Sequence, residues 1–241
     1  MITNIFIIAH MLLDFTFQSS VMAQKKRTSF KHLFIHSLIY LIGCGIVCGF
    51  FLTANYALFA VAILSISHFL IDWARQRLEL RFTNNTFKFI AFILDQMIHI
   101  AIILATSSVL NLNAQTGYFY SMISGYEHLK DLILYIFLFV VIWDPASVFI
   151  KKLFELILSN NSSTSENDLK MGNLIGKLER VIVTILVLLN QYGVIGLVLT
   201  AKSIARFKQL EDKNFAEKYL VGTLASLSIA LISTITIKNF L

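Results

Sequence analysis

Long apolar runs constrain the fold of this sequence more than any other feature. An α-helix needs about 20 consecutive apolar residues to cross the hydrocarbon core of a membrane. Hydrophobic residues make up 57% and charged residues 14% of the 241 residues, whereas a soluble domain has about 45–50% and about 25%. We therefore expect an all-α fold, a polytopic transmembrane helix bundle with six to seven membrane segments. The apolar runs lie near 2–22, 33–53, 55–74, 88–110, 131–153, 181–201 and 219–238.

Basic residues between the runs predict the orientation of the bundle. Lys and Arg are concentrated in the cytoplasmic loops of multi-pass membrane proteins. Here they follow the first, third and fifth runs, in the stretches 25–31, 75–88 and 151–170. We therefore expect the N-terminus outside. The same distribution accounts for the formal net charge of +6 without a nucleic-acid partner, so the expected partner is a membrane lipid, and a homo-oligomer is left open.

The sixth run differs from the others because Asn190, Gln191, Tyr192 and Gly193 interrupt its middle. Each remaining apolar piece has about nine residues and reaches only about half the hydrocarbon thickness. A re-entrant hairpin would keep the basic residues on both flanks cytoplasmic, whereas a full span would violate the charge rule. We predict the re-entrant hairpin and keep the full span as the alternative.

A polar stretch divides the chain into parts. We predict transmembrane helices 1–5 in residues 1–158, a polar cytoplasmic linker in 159–170, and a C-terminal membrane module in 171–241.

Acidic and histidine side chains interrupt the first four runs. Three His–Asp pairs have a spacing of four, which places both members on one helix face, and the second run contributes one more histidine. Depths counted at about 1.5 Å per residue from the expected cytoplasmic ends indicate that all of them could meet in the inner half of the membrane, open to the cytoplasm. The seven residues are His10, Asp14, His36, His68, Asp72, Asp95 and His99.

Ionisable residues inside a membrane are costly and usually functional. Each pair alone could be a hydrogen-bonded couple between helices, but four runs converging at one depth favour a site. Imidazole nitrogen with carboxylate oxygen suits a divalent metal, zinc first, with manganese or iron as alternatives. We predict all seven residues as metal ligands, with Asp14, Asp72 and Asp95 also as catalytic acid–base groups.

This pattern predicts a metal-dependent hydrolase that acts on a lipid or lipid-linked phosphate from the cytoplasmic face. Two alternatives stay open. The chain could be a metal-ion or proton transporter or channel, or a non-catalytic scaffold or sensor with a structural metal. Whether it is an enzyme is therefore not decided by the sequence.

Basic residues of the C-terminal part form a second polar set. Arg180, Lys202 and Arg206 flank the sixth run and are predicted to bind an anionic headgroup. The alternative is a positively charged anchor whose long side chains reach the membrane surface.

Six motifs together resemble a known family: His-x3-Asp-Phe-x2-Gln, Ser-His-x3-Asp, Asp-Gln-x2-His, Gly-x-Leu-Glu-Arg, Ala-Lys-Ser-x2-Arg-Phe and Glu-x-Tyr-Leu-x-Gly-Thr. The chain is similar to bacterial membrane proteins grouped as domain of unknown function 3307. This resemblance implies a prokaryotic inner-membrane protein and brings no assigned activity. The N-terminal half is also loosely similar to membrane-bound metal-dependent hydrolases, which implies metal-dependent hydrolysis, although the C-terminal basic module is not a feature of those proteins.

Overall fold

The computed structural model describes residues 1–157 and 166–241, and these residues are almost entirely helical. The one β-type contact among them is an isolated bridge between Leu52 and Thr116. The predicted all-α class is confirmed. The helices are α1 (Ile2–Met11), continued by a π-helical turn (Leu12–Thr16), α2 (Ser20–Lys25), α3 (Phe30–Phe51), α4 (Ala54–Arg81), α5 (Asn85–Val109), α6 (Tyr118–Ile123), α7 (Leu129–Ile142), α8 (Asp144–Ile157), α9 (Glu166–Leu188), α10 (Tyr192–Ala205) and α11 (Lys213–Lys238), with a 3-10 turn (Phe207–Glu211) before the last.

Within the described residues, five helical segments are long and apolar enough to cross a membrane: α3, α4, α5, α11 and the stretch Leu129–Ile157 that contains α7 and α8. They correspond to the predicted second, third, fourth, fifth and seventh runs. The predicted count of six to seven is not confirmed, because the first and sixth runs form the shorter apolar helices Ile2–Thr16 and Tyr192–Ala205. At about 1.5 Å per residue, Ile2–Thr16 reaches about 22 Å, less than the hydrocarbon thickness of about 30 Å.

The sixth run breaks where its polar residues predicted a break. Helix α9 ends at Leu188 and α10 begins at Tyr192. Between them Asn190 has a φ of 59°, a left-handed conformation that commonly ends a helix and that asparagine tolerates better than most residues. Re-entry of this segment stays a prediction. In the predicted linker 159–170, residues 159–165 lie outside the described residues, and 166–170 begin α9.

The described residues form two compact units, Met1–Phe137 (unit 1) and Leu138–Leu241 (unit 2). In unit 1, an apolar cluster is formed mainly by α1, α3, α4 and α5, and its buried members include Ile2, Phe6, Leu64, Ile103 and Leu112. In unit 2, Val183, Val187, Ile195 and Ala230 form the corresponding core.

The π-helical turn after α1 determines where its acidic residue lies. The Phe17 backbone N–H donates to the Leu12 carbonyl over 2.8 Å, one residue further than in an α-helix. Leu13 of this turn packs against Gly43 of α3, where any side chain would collide with it. Single π-helical turns of this kind are frequent at functional sites. The turn buries Asp14 to 6% exposure.

Candidate metal centre

All seven predicted metal ligands are buried in unit 1, none of them more than 6% exposed. They come from four helical segments that pack together, and we refer to them as the His/Asp centre. The contributions are His10 and Asp14 from α1 and its π-helical turn, His36 from α3, His68 and Asp72 from α4, and Asp95 and His99 from α5.

His36 is at the middle of the first ligand group. Its Nε2 atom lies 3.2 Å from Asp14 Oδ1 and 3.4 Å from Asp72 Oδ2. The same atom is 3.1 Å from His68 Nε2, which is itself 3.6 Å from Asp72 Oδ2. For ligand bonds of about 2.0–2.2 Å, the edges of a tetrahedron are about 3.3–3.6 Å. These four separations are close to such edges, and the ligand atoms of all four side chains lie within 4.8 Å of one another.

A single N–H on His36 does not account for this arrangement. Each imidazole nitrogen carries at most one proton, yet two carboxylate oxygens and one imidazole nitrogen lie within 3.4 Å of His36 Nε2. One N–H cannot point at all three. A cation between the four side chains would be attracted to every lone pair at once, so the donor set fits a divalent metal.

Three imidazoles form a second group. The ring centroids of His10 and His99 are 4.9 Å apart, and those of His68 and His99 are 4.4 Å apart. Each of the three offers a nitrogen within 4.8 Å of the others. His10 Nε2, His99 Nε2 and His68 Nδ1 have no hydrogen-bond partner among the described residues.

Asp95 connects the centre to two further polar side chains. Its Oδ2 atom accepts hydrogen bonds from Arg75 Nη1 at 2.9 Å and from Gln96 Nε2 at 3.0 Å. Its Oδ1 atom has no partner within the described part of the chain and lies 3.8 Å from His99 Nε2. Asp72, Asp95 and His99 form a third group of ligand-type atoms within 4.8 Å.

Lys26 belongs to the centre although the sequence indicated only a topological role for it. Its ammonium lies 3.0 Å from Asp72 Oδ2 and 3.4 Å from Asp14 Oδ1, the same oxygens that face His36. Burial lowers the pKa of Lys26, but Asp72 and Asp14 raise it by more, so the pKa lies above its ordinary value. The Gln76 side chain also donates to the Lys26 carbonyl at 2.7 Å, which fixes the segment between α2 and α3.

Three more residues were absent from the predicted site. Tyr40 stacks on the His68 ring with centroids 3.7 Å apart, and its hydroxyl is 3.4 Å from His10 Nδ1. Arg75 pairs with Asp95, and Gln96 donates to Asp14 at 2.9 Å. Their spacing along the sequence indicates that they share a helix face with the ligands or lie next to one. Tyr40 follows His36 by four residues, Arg75 follows Asp72 by three, and Gln96 is the glutamine of Asp-Gln-x2-His.

The predicted headgroup residues lie in unit 2. Arg180 is 2% exposed and donates to the Ile142 and Trp143 carbonyls. Lys202 donates to Glu179 at 2.6 Å. Arg206 makes an exposed hydrogen bond to Gln209. Binding of an anionic headgroup by this set stays a prediction.

Formal charges in unit 1 also favour a cation. With neutral imidazoles, four carboxylates of the connected network face three cations in the part of the chain that the structure describes, which leaves one negative charge. The carboxylates are Asp14, Asp72, Glu79 and Asp95, and the cations are Lys26, Arg27 and Arg75. Burying an uncompensated charge is expensive, so a bound cation would stabilise the centre.

Comparison with known proteins identifies a family for this half of the chain. Residues 2–124 match the family described as protein of unknown function (DUF3307). The expected resemblance is therefore confirmed, and the match includes the whole His/Asp centre. No curated protein and no solved structure matches the chain, so the likeness to membrane-bound metal-dependent hydrolases has no support from these comparisons.

Proposed function

The chain belongs to the DUF3307 family, and we propose that unit 1 is a metal-dependent membrane hydrolase. The proposed substrate is a lipid or a lipid-linked phosphate reached from the cytoplasmic face. The proposal is supported most directly by the close approach of Asp14, His68 and Asp72 to His36 Nε2, at distances that suit a tetrahedral ion. Two imidazoles with two carboxylates suit zinc first, with manganese or iron as alternatives.

A bound divalent metal would supply Lewis-acid chemistry, polarising a phosphoryl or carbonyl oxygen and acidifying a water molecule. In phosphate-ester hydrolysis, a water oxygen bonds to phosphorus and the P–O bond to the alcohol breaks. One water proton stays with the phosphate, and the other passes to a base, which gives it to the departing alcohol oxygen. We assign the base role to Asp95 Oδ1, because it has no partner within the described residues while Arg75 holds Oδ2.

The phosphate class is supported by the cations beside the ligands. Lys26 and Arg75 already contact the carboxylates of the centre, and either group can bind phosphate oxygens through charge-assisted hydrogen bonds. The cytoplasmic approach is an inference from the basic stretches of the sequence. In unit 2, Arg206 is retained as the proposed headgroup contact, since its hydrogen bond to Gln209 is exposed, whereas Arg180 and Lys202 donate to buried or partly buried protein atoms.

A transporter is the first alternative. It needs a polar route to both faces of the membrane. Beyond the His/Asp centre, α1, α4 and α5 bring together Phe6, Leu64 and Ile103 of the apolar cluster, which disfavours such a route. Zinc entry into proteoliposomes that contain a zinc indicator would support the transporter instead.

A scaffold with a structural metal is the second alternative, and one observation favours it. The group around His36 already offers four ligands, the number of a closed structural zinc site. A catalytic site keeps an open position. The two functions therefore differ in whether a loaded centre turns over substrate.

The test is hydrolysis by zinc-loaded protein in detergent micelles that contain a phosphatidic acid or a polyprenyl diphosphate. We expect release of inorganic phosphate, abolished by a chelator. Asp95→Asn should lower the rate at least about 100-fold, as expected for loss of a general base. Asp131→Asn changes a carboxylate outside the centre and should leave the rate unchanged. Zinc-loaded protein that hydrolyses neither substrate, or equal rates in both variants, would contradict the proposal.

A further inference from the structure

We propose that the His/Asp centre holds two divalent cations, with a second position formed by His10, His68 and His99. This inference rests on the proposed function, which places the first cation among Asp14, His36, His68 and Asp72. We call the group of Asp14, His36, His68 and Asp72 the first position and the group of His10, His68 and His99 the second position. His68 belongs to both groups.

The second position is inferred from imidazole nitrogens that have no hydrogen-bond partner among the described residues. His10 Nε2, His99 Nε2 and His68 Nδ1 are buried and have no hydrogen-bond partner in residues 1–157 and 166–241. The three side chains are between 1% and 4% exposed. A buried polar atom without a partner is costly, and most native structures contain few of them. Three on adjacent imidazoles indicate one shared ligand.

One cation at the first position does not satisfy these atoms. Zinc in proteins takes four ligands as a rule, and the first position already provides four. His10 and His99 would then remain unpaired next to a filled site. A second cation would use both, together with His68, whose Nε2 faces His36 while its Nδ1 is free of partners among the described residues.

The two positions differ in their coordination. The first has four protein ligands and is closed. The second has three imidazoles, which is the arrangement of a catalytic zinc site with one position left for substrate or water. Asp95 Oδ1 lies 3.8 Å from His99 Nε2, so the proposed base is adjacent to the open position.

Charge then indicates the class of ligand that completes the centre. The connected network has one formal negative charge in excess, so two divalent cations would leave three positive charges. A buried centre with that charge requires an anion. A phosphate group at the open second position would provide the negative charge, and a metal there would polarise its phosphoryl oxygen. The second position thus narrows the substrate to a phosphate ester.

The experiment is metal stoichiometry of the full chain, purified in detergent, loaded with zinc, freed of unbound metal by gel filtration and measured by elemental analysis. We expect two zinc ions per wild-type chain. His36→Ala should retain one, His99→Ala should retain one, and His68→Ala should retain none. His128→Ala is the matched control, because the His128 side chain is 83% exposed, and it should retain two.

His36→Gln and His99→Gln are the controls for misfolding, because they keep a polar side chain, and circular dichroism checks their helix content. Cobalt loading gives a second measurement. We expect His36→Gln and His99→Gln to lose different parts of the visible cobalt spectrum, which add up to the wild-type spectrum.

The outcomes separate this inference from the proposed function. One zinc in the wild type, lost in both His36→Ala and His99→Ala, overturns the second position and leaves a single-metal hydrolase. Two zinc ions that both persist in His99→Ala also overturn it. A wild-type chain that binds no zinc, cobalt or manganese overturns both proposals.

Discussion

The two units both bury polar and charged side chains, but they satisfy them differently. In unit 1, the His/Asp centre leaves His10 Nε2, His99 Nε2 and Asp95 Oδ1 without partners among the described residues. In unit 2, the buried Arg180 donates to four acceptors, and the buried hydroxyls of Thr184 and Thr234 are 3.1 Å apart. Incomplete satisfaction indicates a ligand, whereas complete satisfaction indicates a structural role.

The position of Arg180 explains its role. Pro145 has no backbone N–H, so the helical hydrogen-bond ladder is interrupted between α7 and α8. The last carbonyls of a helix need donors from elsewhere. Arg180 Nε donates to the Ile142 carbonyl at 2.6 Å and Nη2 to the Trp143 carbonyl at 3.1 Å. The guanidinium therefore caps the end of α7.

The largest effect that we expect tests this structural role. Arg180→Met should destabilise unit 2 by at least about 3 kcal/mol, because it removes several charged hydrogen bonds and takes the donor away from the buried Ile142 carbonyl. Thermal unfolding in detergent measures the change. Zinc stoichiometry should stay at the wild-type value, since no ligand of the centre lies in unit 2.

Lys208→Met is the control for this substitution. Lys208 is exposed on the 3-10 turn before α11, so its loss should change stability by no more than about 0.5 kcal/mol. Equal stabilities of the Arg180 and Lys208 variants would mean that unit 2 does not depend on its buried arginine. The structural role assigned to the satisfied polar groups of unit 2 would then be wrong.

A smaller expected effect tests whether the unsatisfied polar groups of unit 1 bind a ligand. Filling one of the two positions, with zinc at 100 times the Kd of that position, should stabilise unit 1 by about 2.7 kcal/mol and slow amide hydrogen exchange in α3, α4 and α5 by up to about 100-fold. Exchange in α9 and α11 should not change. Hydrogen-exchange mass spectrometry with and without zinc measures both. Protection that rises equally in both units, or that persists in His68→Ala, would contradict a ligand site confined to unit 1.

Much of the fold was predictable from the sequence because lipid imposes a simple length rule. Five apolar runs of about 20 residues became helices long enough to cross a membrane. The rule failed for the first run, whose α-helix ends at Met11 and continues only to Thr16 in a π-helical turn. A π-helical turn inserts one residue through local packing, here against Gly43, and hydrophobicity does not encode it.

The candidate centre was predictable to the extent that its members have a helical spacing. His–Asp pairs four residues apart lie on one face, and the structure brings all three pairs and His36 together. Lys26 was not predictable as a neighbour of the ligands, because it is 46 residues from Asp72 along the chain. Its position depends on how the segment between α2 and α3 folds back, which no spacing rule describes.

The smallest predicted effect concerns Lys26, whose ammonium contacts the same Asp14 and Asp72 oxygens that we assign to the first position. We expect Lys26→Met to tighten zinc binding about tenfold, because a charge-assisted hydrogen bond that competes with the metal is worth about 1.5 kcal/mol or more.

Competition with a fluorescent zinc chelator measures this affinity, and Lys25→Met, at an exposed neighbouring position, should leave it unchanged. If Lys26→Met weakens zinc binding instead, the ammonium orients the two carboxylates and does not compete for them. The first position would then resemble the satisfied polar cluster around Arg180, and the contrast between the units would rest on the three imidazoles of the second position.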